Sequence, residues 1–143
     1  MTGVDLSSLP KVLLHDHLDG GLRVDTVIDI AAESGYDALP TTTPNELADW
    51  FYQGAAGSLE QYLEAFRHTV GVMQSEAALR RVAYEAVLDL ADDGVVYAEI
   101  RLAPSLHLTD GLRREQVIEA VLEGLSEGSK KTEIVVGLIL DAM

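Results

Sequence analysis

Apolar and polar positions follow two rhythms along this chain. Short apolar or strand-like runs occur three times: Val12–Leu14 before Gly20-Gly21, Val95–Arg101 closed by Pro104, and Ile134–Leu140. Elsewhere apolar residues recur every three or four positions, the helical period. Asp25 opens such a stretch, with Val27, Ile28 and Ala31 on one face and Gly35 as its stop. Thr43-Pro44-Asn45-Glu46 has the form of a capping box with proline at the first helical position, ahead of Leu47, Trp50 and Phe51. Ser58 starts another helix, with Leu59, Tyr62, Leu63, Phe66 and Val70 in its stripe. Ser75 starts a longer one, ending at Gly94, that turns Leu79, Val82, Ala83, Ala86, Val87 and Leu90 inward. Arg114–Glu127 is the last, through Val117, Ile118, Val121, Leu122 and Leu125, with Gly128 as its expected stop.

Short buried strands separated by helices predict an α/β fold with a parallel sheet. The helices between the first two strands are too many for a minimal crossover, so a helical insertion is expected at about residues 40–75. Three strands do not close a sheet. Residues 1–143 therefore read as one partial domain whose sheet breaks off mid-fold.

Composition narrows the chemistry. With 24 acidic and 10 basic residues the formal net charge is −14, which opposes a nucleic-acid or anionic-membrane partner. There is no cysteine, so any metal must be held by histidine and carboxylate. No secretory leader is visible, and no apolar run approaches the roughly 20 residues of a membrane helix. A cytoplasmic location is the expectation.

The string PKVLLHDHLDGGL, residues 10–22, carries the candidate site. Residues two apart in a strand share a face, so His15 and His17 point one way and Asp16 the other. Asp19 falls on the histidine side if the strand continues, and near it if a turn begins. Two imidazoles at the C-terminal end of a parallel strand form either a polar strand end or half of a metal site. Glu99 and Arg101 share a face of the second strand and read as an interior ion pair or network. His68 and His107 have no partner at metal spacing and read as surface or loop histidines. Asp92-Asp93 reads as a solvated turn.

Pro10-Lys11-Val12, Leu14-His15 and His17-Leu18-Asp19-Gly20 together resemble the opening signature of the adenosine deaminase family of metal-dependent amidohydrolases. The likeness continues through Ser58–Phe66, Arg81–Glu85, Gly94–Arg101 and Ala103-Pro104. It implies the N-terminal part of a TIM (β/α)8 barrel and zinc-dependent deamination of adenosine or 2′-deoxyadenosine to the inosine nucleoside plus ammonia. It implies zinc ligation by His15 and His17, with His17 also bordering the substrate. Asp19 would accept the ribose 5′-hydroxyl, while Leu59, Tyr62, Leu63 and Phe66 would cover the purine. Relatives acting on free adenine carry Glu at the Asp19 position and those acting on N6-methylated AMP carry Asn, so Asp19 points to the nucleoside. No residue of the chain matches the catalytic proton donor. That glutamate, the third zinc histidine and the zinc aspartate belong to later strands, so the chain alone is expected to be inactive and to need the remainder of the barrel, on the same or a separate chain. The cysteine-ligated zinc deaminases are excluded, since no histidine here has Glu two residues on. The alternatives are a deaminase of adenine or a modified adenosine, and a non-catalytic truncated or partner chain.

Overall fold

In the computed structural model, which describes residues 9–52 and 58–142, the chain order is β1 (Lys11–His17), α1 (Val24–Ser34), α2 (Pro44–Phe51), α3 (Leu59–Val72), α4 (Glu76–Asp92), β2 (Val95–Leu102), α5 (Arg114–Thr132) and β3 (Val135–Leu140). Positions 53–57 of the expected insertion lie outside the described residues. The strands form one parallel sheet with β2 in the middle, Val12 facing Tyr97 and Tyr97 facing Val135. This is the α/β arrangement the alternating pattern predicts. Two 3-10 turns follow strand ends, Leu18–Gly20 after β1 and Pro104–His107 after β2.

One sheet face makes the core. Ala98, Ile100 and Leu102 of β2 are buried with Leu79, Val82 and Val87 of α4 and Val117, Val121 and Leu125 of α5. Each large side chain so buried contributes about 1.5–3 kcal/mol. The opposite face is uncovered among the described residues, with Val12 57%, Leu14 59% and Val135 59% exposed. Strands apolar on both faces belong in a closed barrel, and this inner face is where the rest of a barrel packs.

Helix ends follow side-chain chemistry with two corrections. Ser75 caps α4 by accepting the Ala78 N–H at 3.2 Å, and Gly94 ends it at φ +80°. Thr43 makes no side-chain cap on α2. Thr41 instead accepts from the Thr43 N–H and donates to Glu46 Oε2 at 2.8 Å, tying the entry of the helix to its first turn. Gly128 does not stop α5, which runs to Thr132 and closes at Glu133 with φ +63°. Its role is contact. A Cβ on Gly128 would fall 2.6 Å from Val87 Cβ, and one on Gly124 only 2.3 Å from the Arg80 carbonyl oxygen. The two glycines let α5 lie directly on α4.

His68 and His107 also depart from expectation, because both are buried. His68, 7% exposed, meets the Tyr36 hydroxyl at 3.0 Å through Nδ1 and stacks edge-on with Trp50. His107 is fully buried, its Nδ1 3.0 Å from the Met73 carbonyl. The signal for His107 was its setting between Leu106 and Leu108. Burial lowers both pKa values. The Arg67 charge adds to the effect at His68 against Glu64, while Met73 and Asp19 oppose it at His107.

Two outcomes follow from this packing. Gly124→Ala gains about 1 kcal/mol of helix propensity but meets a backbone oxygen that cannot rotate away, an overpacking cost of about 1–3 kcal/mol. The variant should unfold at lower temperature than wild type, and exposed Ser126→Ala should not; an unchanged Gly124→Ala melt contradicts the packing account. The second outcome concerns pH. Both histidines are harder to protonate folded than unfolded, so their stabilisation is complete above the ordinary histidine pKa of about 6.5 and is lost as pH falls through it. Urea midpoints should decline from about pH 7 to pH 5, and His107→Gln should flatten the slope. A midpoint independent of pH there contradicts the buried neutral rings.

Candidate active site

An extra residue in β1 aims the histidines. Between Leu13 and Asp16 β1 advances three residues while its partners Ala98 and Ile100 advance two, a bulge. Strict alternation from exposed Val12 and Leu14 would turn Asp16 to their face. The bulge resets the phase, so His15 and His17 are exposed on that face and Asp16 is partly buried. Burial raises the Asp16 pKa, against the pull of His17's charge and backbone N–H.

The two rings converge. Their centroids are 5.3 Å apart and Nε2 of His15 lies 3.3 Å from Nε2 of His17. Two imidazole nitrogens on one tetrahedral zinc, each about 2.0–2.1 Å from it, stand about 3.3–3.4 Å apart. The donor set therefore fits a zinc edge. Among the described residues no cluster of three or more His, Cys, Asp or Glu side chains could hold a metal.

A turn begins at Leu18 and brings Asp19 beside the pair, its Oδ1 3.9 Å from His17 Nδ1. Asp19 is 7% exposed, and Oδ1 is buried without a hydrogen-bond partner. His15, His17 and Asp19 border a cavity of about 360 Å³, walled on its apolar side by Phe51, Tyr62, Ala65 and Phe66. Leu59 and Leu63 do not line it and are exposed. Phe51 and Ala65 were not anticipated. Ala65 carries no stripe signal of its own, and Phe51 comes from the neighbouring helix α2.

Glu99 and Arg101 do not pair with each other. Arg101 donates to both oxygens of Asp141, at 3.0 and 2.6 Å, and its Nη1 lies 2.9 Å from His15 Nε2. Glu99 accepts from the Tyr97 hydroxyl at 3.0 Å. Arg101 faces Ile139 across the sheet, which puts Asp141, two residues on, at a diagonal position that its long side chain reaches. Hydrogen bonding raises the Arg101 pKa and lowers that of Asp141. Asp93 is tied to Lys11 at 2.8 Å while staying exposed, so its turn is solvated but paired.

Comparison with known proteins bears on this arrangement. The chain is 56% identical over 140 residues to a protein named adenosine deaminase from Mycobacterium avium (strain 104), covering 94% of the chain and 38% of that protein. It is 61% identical over 122 residues to one from Mycobacterium marinum, covering 85% and 34%. The chain thus spans little over a third of these relatives. Among solved structures, adenine deaminase from Arthrobacter aurescens superposes with a TM-score of 0.80 at 24% identity, over 92% of this chain and 39% of that one. An amidohydrolase from Burkhoderia ambifaria with bound zinc superposes at 0.79 with 26% identity, over 97% and 39%. Such barrel enzymes match the present fold as the N-terminal portion of a TIM barrel. Residues 10–143 match the adenosine deaminase family profile. The chain belongs to the adenosine deaminase family.

Proposed function

We propose that this chain supplies the first two metal ligands and part of the substrate pocket of a zinc-dependent enzyme that hydrolyses adenosine or 2′-deoxyadenosine to the inosine nucleoside and ammonia. The supporting observation is the 3.3 Å approach of the His15 and His17 Nε2 atoms at the rim of a cavity that also holds Asp19. Relatives at 55–61% identity bear the name adenosine deaminase. Zinc, when bound, would supply a water whose pKa is lowered to about 7.

The chain's own residues then have distinct tasks. His15 and His17 hold the ion as neutral imidazoles. Asp19 Oδ1 is sealed, so the ribose 5′-hydroxyl falls to Oδ2. Tyr62 and Phe66 pack on the purine and keep bulk water from it, while Leu59 and Leu63 extend that helix outside the cavity. The proton donor and the two remaining ligands come from the rest of the barrel, which also covers the bare sheet face. In this reading residues 1–143 form part of one barrel domain, with α2 and α3 as its helical insertion. No helix among the described residues is long and apolar enough to cross a membrane, which accords with a cytoplasmic enzyme of purine metabolism. The alternative is an adenine deaminase, as one structural neighbour is named.

Two measurements test the reading on the full-length protein. Loss of adenosine absorbance should be faster than turnover of adenine or AMP, and faster turnover of adenine overturns the nucleoside assignment. His15→Ala and His17→Ala should each lose zinc and nearly all activity together. Full zinc occupancy with full activity in either variant would remove both histidines from the metal site.

A further inference from the structure

Among the described residues, three buried side-chain polar atoms have no hydrogen-bond partner: Ser105 Oγ, Asp19 Oδ1 and His107 Nε2, of which Asp19 borders the site. Leaving such groups unpaired is costly, and native proteins pair nearly all of them with protein or internal water. The 3-10 turns that carry Asp19 and His107 follow adjacent strands and both pack on α3. The negative charge of Asp19 acts on the His107 ring, so the two are electrostatic neighbours.

Their chemistry decides how they can be joined. Met73 presents a carbonyl oxygen to His107 Nδ1 at 3.0 Å, and a carbonyl only accepts, so Nδ1 carries the ring proton. On a neutral ring Nε2 is then an acceptor. The Asp19 carboxylate is an acceptor as well. Two acceptors cannot bond each other; a molecule with two O–H donors can serve both. Internal water commonly fills this role.

We propose that His107 positions Asp19 through one internal water, which donates one hydrogen to Asp19 Oδ1 and the other to His107 Nε2. The chain of contacts then runs from the Met73 carbonyl through the ring and the water to the carboxylate. It fixes the carboxylate's rotation and leaves Oδ2 directed at the ligand. His107 thus determines how well a ribose 5′-hydroxyl is held without touching it. The effect on substrate rests on the nucleoside reading above; the water does not.

The test uses the full-length zinc enzyme. Its high-resolution crystal structure should show a water about 2.7–3.2 Å from both atoms. A direct Asp19–His107 contact, or no water common to the two, overturns the proposal whatever the substrate proves to be. Kinetics read the consequence with adenosine and 5′-deoxyadenosine, which lacks the hydroxyl. His107→Leu should raise KM for adenosine about tenfold, equivalent to about 1.4 kcal/mol, with kcat within about threefold. It should leave KM for 5′-deoxyadenosine within about twofold of wild type. His107→Gln, whose amide oxygen reaches towards the Nε2 position, should recover most of the adenosine affinity and covers the case in which the leucine variant does not fold. Equal losses on both substrates, or no loss on either, contradict a role through Asp19. Wild-type enzyme inert towards adenosine would overturn the nucleoside reading instead, and the shared water would still decide the proposal.

Discussion

The single extra residue in β1 is the constraint on which the site depends. A strand has a strict period of two, so Val12 and Leu14 on the inner face would be followed by Asp16. The bulge between Leu13 and Asp16 breaks that phase and puts His15 and His17 inward. The surroundings of the pair use it: the Arg101 contact to His15 and the turn that brings Asp19 beside His17. A bulge at a strand end both re-aims side chains and ends regular pairing, which is why such features gather at functional sites.

The outer face of the sheet supplies the rigidity. β2 is fastened to β1 and β3 on either side and is buried beneath α4 and α5, whose close approach at Gly124 and Gly128 leaves no slack. His15 and His17 project from the opposite face, so core packing does not compete with them for positions. The same division explains the bare apolar strip of Val12, Leu14 and Val135, which is inner barrel surface.

Much of this was legible from residue patterns. The three strands and the order of the helices followed from apolar runs and helical periods, and the histidine pair from its spacing of two. The bulge was not legible, because the pairing of His15 with His17 is the same with or without it; only its relation to Val12 and Leu14 changes. Long-range partners were also hidden. Arg101 chose Asp141, just past the end of the neighbouring strand, over Glu99 on its own, and sheet register is set by the whole fold. Gly128 carried the mark of a helix stop, yet its small size is spent on Val87. His68 and His107 look polar in isolation, and only the packing of α3 and the second 3-10 turn buries them.

The most direct test of the account is anomalous diffraction at the zinc edge from crystals of the full-length protein. The account predicts one zinc peak bonded to Nε2 of both His15 and His17, with the extra β1 residue between Leu13 and Asp16 retained. A zinc bound elsewhere with both imidazoles free, or a regular β1 that turns Asp16 inward, would contradict it.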